Sequence, residues 1–82
     1  ILSCKAIQEK GIFEGDDSQA LVKKSMMENA EKTILLCDTT KENAVGFFKL
    51  TDFQPLSYLV SDAGFSPPLQ KALEKQIPRV IY

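Results

Sequence analysis

Thr33-Ile34-Leu35-Leu36-Cys37-Asp38 and Tyr58-Leu59-Val60-Ser61-Asp62 decide how this chain is read. Neither segment alternates apolar with polar residues. A short continuous apolar run of this kind fits a strand covered on both faces, as in a parallel sheet. Both runs end on an aspartate. Working outward, Ser66-Pro67-Pro68 is a strong helix start, because Ser suits the N-cap and Pro at the first helical position loses no hydrogen bond. Leu69, Ala72 and Leu73 then fall on one helical face. This helix must stop before Pro78, and Arg79-Val80-Ile81-Tyr82 supplies a last strand.

Upstream, Ser18 is expected to cap a helix from Ala20 to about Glu31, with Asp16 and Asp17 placed favourably near its positive end. Leu21, Val22, Met26 and Ala30 are expected to form its buried stripe, leaving Lys23, Lys24, Glu28 and Glu31 in water. Ile1 to Ile7 reads as the end of a strand, and Gly11 to Asp17 as an acidic loop. Asp38 to Asn43 is a polar loop with room for one helical turn, and Gly46 to Leu50 a short strand. Thr51 to Pro55 reads as a turn with a brief helical piece. The resulting alternation of strands and helices implies an α/β fold, a mostly parallel sheet flanked by helices. Two helices do not cover both faces of such a sheet. Part of the core is therefore expected to meet missing sequence or another subunit.

Composition narrows the function classes. The chain has 82 residues, of which 44% are hydrophobic and 26% charged, the profile of a folded globular protein. Domains commonly run to ~100–200 residues, so a second complete domain does not fit. Ten basic against eleven acidic side chains leave a net charge of −1, which argues against a nucleic-acid-binding surface in this segment. The absence of His removes Ser-His and Cys-His nucleophile pairs and the commonest metal ligand. Cys4 and Cys37 have neither a disulfide-framework nor a metal-ligand spacing and read as reduced, buried thiols. No apolar run reaches the ~20 residues that span a bilayer. No signal peptide is visible, and a cytoplasmic location is expected. No Gly-rich phosphate loop or dinucleotide fingerprint is present.

Open α/β sheets bind ligands beyond the carboxyl ends of their strands. Asp38 and Asp62 are thus expected on one edge, with Thr39, Thr40 and Lys41 beside the first. Hydroxyls and a Lys suit phosphate oxygens, and carboxylates suit sugar hydroxyls. Two other readings of the aspartates stand beside this one: an acid–base pair, or plain caps of the turns that follow the strands.

Several of these segments together resemble the effector-sensing domain of DeoR-type bacterial transcriptional repressors. The helix Ala20-Leu21-Val22-Lys23-Lys24-Ser25-Met26-Met27-Glu28-Asn29-Ala30, the strand end Cys37-Asp38-Thr39-Thr40-Lys41 and the later Tyr58-Leu59-Val60-Ser61-Asp62 follow that family's motifs. Pro67-Pro68, Ala72-Leu73-Glu74 and Val80-Ile81 follow its closing helix and strand. The resemblance implies a sensor related in fold to ribose-5-phosphate isomerase, glucosamine-6-phosphate deaminase and CoA-transferases. It implies no catalysis and no cofactor. The expected ligand is a phosphorylated sugar, bound by Asp38, Lys41 and Asp62, with Thr39 and Thr40 alongside and Lys23 as a further candidate. Residues 1–82 would be the C-terminal part of the sensor, in a protein expected to be a homo-oligomer. Operator DNA would be bound only by an N-terminal winged helix-turn-helix domain absent from this chain. A fragment of a sugar-phosphate isomerase or deaminase is the competing reading, and a structural oligomerisation piece is a third. The sequence departs from the family at Glu42-Asn43, where Phe-Gly is usual, and at Gln19, where Glu is usual.

Overall fold

The computed structural model describes residues 1–82. Its strands are β1 (Ala6–Gln8), β2 (Gly11–Glu14), β3 (Ile34–Leu36), β4 (Phe48–Thr51), β5 (Tyr58–Val60) and β6 (Arg79–Ile81). Its helices are α1 (Asp17–Glu28) and α2 (Pro67–Gln76), with a 3-10 turn over Thr39–Asn43. The strands form two three-stranded sheets, β1-β2-β4 and β3-β5-β6.

The second sheet is the one the two apolar runs specify. β3 pairs parallel with β5, Leu35 opposite Leu59, and β5 pairs parallel with β6, Leu59 opposite Val80. Leu2 adds a parallel bridge to Leu35 on the outer side of β3. Leu35 and Leu59 are fully buried, and Leu69 and Leu73 of α2 join the same core as expected. The mostly parallel arrangement therefore holds for one sheet only.

The other sheet is antiparallel throughout. The reading of Gly11 to Asp17 as a loop is corrected here, because Gly11–Glu14 is β2, hydrogen-bonded to β1 and β4. Ile1 to Ile7 is likewise no single strand: Leu2 lies beside β3, whereas Ala6 and Ile7 belong to β1 of the other sheet. Gly11 makes the hairpin possible. Its φ is 137°, and a Cβ there would collide with the carbonyl oxygen of Thr51.

α1 also starts and faces differently from the sequence expectation. Its N-cap is Asp16, in extended backbone, whose carboxylate accepts from Gln19 N at 2.8 Å; Ser18 Oγ donates to the same oxygen at 2.9 Å. The ionised carboxylate is the stronger acceptor, so the helix begins two residues earlier than a Ser18 cap would allow. It ends at Glu28, where the Asn29 side-chain amide donates to Ser25 O. Leu21, Val22 and Met26, expected to be buried, are 60%, 57% and 52% exposed, and Ala30 is exposed too. The inward face carries Ala20, Lys23 and Met27 instead. Ala20 permits a close approach to the sheet, and Lys23 ion-pairs with the buried Glu14 at the end of β2. A buried carboxylate left without its partner is costly, and this pairing fixes which side of α1 docks.

Candidate functional site

β3 and β5 are adjacent and parallel, so their carboxyl ends emerge together. Asp38 follows β3, and Asp62 follows β5 one residue after Ser61. The expected meeting on one edge is what the structure shows. Asp62 Oδ1 accepts from Thr39 N at 3.0 Å and from Ser61 Oγ at 3.3 Å. Asp38 Oδ1 accepts from Thr40 N at 3.1 Å and from the Thr40 hydroxyl. The capping role is thus realised at both aspartates, since Asp38 caps the 3-10 turn and Asp62 ties that turn to β5. Each carboxylate is engaged through Oδ1 alone, and Oδ2 faces no protein donor. Asp38 and Asp62 are exposed, so a ligand can reach those oxygens.

Lys41 completes the group. It lies inside the 3-10 turn, is half-buried, and donates its backbone N–H to Asp38 O at 3.1 Å. The Thr40 hydroxyl, with the Lys41 charge and the amides of Thr40 and Lys41 behind it, holds the Asp38 carboxyl below its ordinary value against some desolvation. The edge formed by the ends of β3 and β5 therefore presents two carboxylates, two Thr residues and an ammonium group. Such a set accepts from sugar hydroxyls and neutralises an anion. It forms an open edge. Shallow grooves also run between α1 and β4, lined by Lys24, Met27, Leu50 and Pro55, and at the far end of the 3-10 turn, lined by Gln8, Glu42, Ser66 and Leu69.

Lys23 is held in a different network. Its Nζ donates to Glu14 Oε2 at 2.8 Å and to Ser3 O at 2.7 Å, joining α1, β2 and the N-terminal segment. These contacts tie the three elements together, and the sequence pattern gave no sign of the Glu14 partner.

Two further features escaped the sequence reading. Glu42, which stands where the resemblance calls for Phe, accepts from Ser66 N at 3.0 Å through Oε1 and from the Ser66 hydroxyl through Oε2. Its charge sits at the start of α2, where the Ser66 N–H and the positive end of the helix dipole offset it. Ser66 is the N-cap residue as expected but makes no side-chain cap, because its hydroxyl is given to Glu42. The second feature is the contact between Cys4 and Cys37: both are buried free thiols as expected, but their Sγ atoms lie 3.8 Å apart. A signal existed: Leu2-Ser3-Cys4 and Leu35-Leu36-Cys37 place Cys at the same offset from Leu, as strands in register would.

Side chains of His, Cys, Asp and Glu form no cluster of three or more able to hold a metal ion. No helix is long and apolar enough to cross a membrane. Residues 1–63 match the family described as the DeoR C terminal sensor domain. The chain is 36% identical over 80 residues to YulB, an uncharacterized HTH-type transcriptional regulator of Bacillus subtilis, covering 96% of this chain and 31% of that protein. It is 32% identical over 76 residues to the L-fucose operon activator of Haemophilus influenzae, covering 92% of this chain and 30% of that protein. The chain thus spans less than a third of the length of these relatives. No solved structure matches it. The match over most of the chain and the two regulators that share its sequence lead to one statement: the chain belongs to the DeoR C terminal sensor domain family.

Proposed function

We propose that this chain is the C-terminal part of the effector-sensing domain of a bacterial transcriptional regulator, and that its effector is a phosphorylated sugar. The observation that carries the reading is the convergence of Asp38, Thr39, Thr40, Lys41 and Asp62 at the carboxyl ends of two adjacent parallel strands. Lys41 supplies the charge for a phosphate, and Thr39 supplies a free hydroxyl. Thr40 gives its hydroxyl proton to Asp38 and orients that carboxylate, and the free Oδ2 atoms of Asp38 and Asp62 accept from sugar hydroxyls. The role is binding, not catalysis. Binding favours one conformation of a cytoplasmic homo-oligomer and changes how separate winged helix-turn-helix domains meet operator DNA. One relative is named for an L-fucose operon, which supports a sugar-derived effector, and is called an activator, so repression is one of two directions this control takes.

The test is a thermal-shift and calorimetry screen of the complete protein against phosphorylated sugars. At least one compound stabilises it, and the unphosphorylated sugar does not. Lys41→Ala removes a charge-assisted contact worth about 1.5–3 kcal/mol, so affinity falls roughly 10- to 100-fold. An unchanged affinity in that variant removes Lys41 from the site, and a screen without any response refutes the sugar-phosphate reading.

A further inference from the structure

We propose that Cys4 and Cys37 form a redox-active modification site, in which a peroxide joins the two thiols in a reversible disulfide directly before the candidate effector loop. The geometry carries the proposal. Leu2 pairs parallel with Leu35, held by Leu2 N donating to Ile34 O and Leu36 N donating to Leu2 O, each at 2.9 Å. Two residues further along both segments, on the same side of each, stand Cys4 and Cys37. Their Sγ atoms are 3.8 Å apart, each residue is 5% exposed, and both are free thiols. Joining them requires the sulfurs to close from 3.8 Å to the roughly 2 Å of a disulfide bond.

The surroundings give the two sulfurs different roles. The hydrogen bond with Cys37 holds the Cys4 thiol below its ordinary value, against burial and the Glu14 carboxylate, with Lys23 and Lys41 assisting. The same contact, with burial and the charges of Cys4 and Asp38, pushes Cys37 up despite Lys41. Cys37 Sγ also donates to Asp38 O at 3.6 Å and so keeps its proton, which makes Cys4 the attacking sulfur and Cys37 the resolving one. The Cys4 thiolate attacks one peroxide oxygen and the O–O bond breaks. Cys4 becomes a sulfenic acid, and the leaving oxyanion takes up the proton that the Cys4 thiol released on ionising. Cys37 sulfur then attacks Cys4 sulfur. The S–S bond forms as the S–O bond breaks, and hydroxide departs with the Cys37 proton as water. Two thiols lose two electrons and the peroxide gains them; an external dithiol reverses the bond.

Cys37 Sγ also contacts Asp38 O at 3.6 Å, and Asp38 begins the 3-10 turn that carries Thr39, Thr40 and Lys41. Drawing Cys37 toward Cys4 moves the start of that turn. This consequence rests on the effector reading above, but disulfide formation does not.

The experiment oxidises the intact protein with hydrogen peroxide, alkylates remaining thiols under denaturing conditions and maps peptides by mass spectrometry. The expected product is one intramolecular Cys4–Cys37 disulfide, two hydrogens lighter and restored by dithiothreitol. Cys37→Ser is expected to stop at a Cys4 sulfenic acid that dimedone traps. A third arm needs no variant: in urea, where 33 positions of flexible chain separate the thiols, disulfide formation slows at least tenfold. Thiols that stay alkylatable in the oxidised folded protein, bonds between separate chains, or equal rates in the folded and unfolded states each overturn the proposal. Coupling to the loop is read by amide exchange at Thr39 and Thr40, expected to change several-fold on oxidation. Unchanged exchange overturns the coupling.

Discussion

Replacing Lys23 by Met tests whether this residue holds the fold together or belongs to the ligand site. The side chains of Lys23 and Glu14 are 17% and 7% exposed, and the ammonium bridges Glu14 Oε2 at 2.8 Å and Ser3 O at 2.7 Å. Met keeps most of the aliphatic stem and removes the charge. A buried carboxylate that loses its partner costs about 3–5 kcal/mol, and the residual exposure of this pair reduces that to roughly 3 kcal/mol. A chain of this size has a total stability of only about 4–12 kcal/mol. With a urea m-value of about 1 kcal/mol/M for a small domain, the midpoint falls by roughly 3 M or the chain unfolds outright. Glu14→Gln together with Lys23→Met strands no charge and is expected to recover a large part of the loss. A double-mutant cycle therefore gives a coupling energy of about 1–3 kcal/mol. The reasoning is refuted if Lys23→Met shifts stability by less than about 0.5 kcal/mol. If the same variant keeps its stability and loses ligand affinity, Lys23 belongs to the effector site instead.

Other expectations follow from the same geometry. Gly46→Ala places a Cβ 2.6 Å from Phe13 Cβ and 3.2 Å from Glu14 O, so it destabilises the β2–β4 pairing by about 1–3 kcal/mol, measurable by thermal melting. Leu59→Ala empties the centre of the parallel sheet at a fully buried position and costs about 2–5 kcal/mol, read from urea midpoints. Glu42→Ala unties the 3-10 turn from Ser66 and costs about 0.5–2 kcal/mol, with faster amide exchange at Ser66; unaltered exchange there defeats the claim. Asp16 is held below its ordinary carboxyl value by the Gln19 amide and then the Ser18 hydroxyl, and Asp38 by the Thr40 hydroxyl foremost. A depressed folded value gives stability that is present above the unfolded value near 3.8 and is lost as pH falls through the folded one. Unfolding followed from pH 5 to 2 is expected to show this loss, and Asp16→Asn and Asp38→Asn each to flatten it.

The parts of the fold that were legible share one property: their signal is local. The apolar runs at 34–36 and 58–60 did mark paired parallel strands, and Ser66-Pro67 marks a helix start whatever surrounds it. Only Leu35 and Leu59 of those runs are buried, while Leu36 is 45% exposed and Ile34, Tyr58 and Val60 are half-buried, so the expected cover on both faces is met on one face only. The convergence of Asp38 and Asp62 followed from the same parallel pairing. β2 was hidden because Gly11 and Gly15 bracket it with turn chemistry, and only pairing to β1 and β4 turns Ile12 and Phe13 into a strand. The face of α1 was hidden for a related reason. Leu21, Val22 and Met26 outweigh Ala20 on any apolar count, but the docking side is chosen by a buried carboxylate nine positions upstream of Lys23. Sequence periodicity records how apolar a face is, and not which polar group waits opposite it.

That distinction also bears on how a ligand event at this edge travels. The 3-10 turn is tied at three points: by Asp38 to its own first amides, by Asp62 to the end of β5, and by Glu42 to the start of α2. None of these ties is buried deeply enough to be rigid, and each is worth only about 0.5–3 kcal/mol. A ligand that gains a few kcal/mol from Lys41 and the aspartates can therefore rearrange the turn without unfolding the sheet, whose Leu35 and Leu59 remain in the core. The Asp62 tie joins Thr39 to β5 and the Glu42 tie joins the other end of the turn to α2, so a shift in the turn pulls on both elements at once. Glu42, the departure from the family pattern, is on this view the residue that connects the ligand edge to α2. Phe at that position has no carboxylate with which to make the same link.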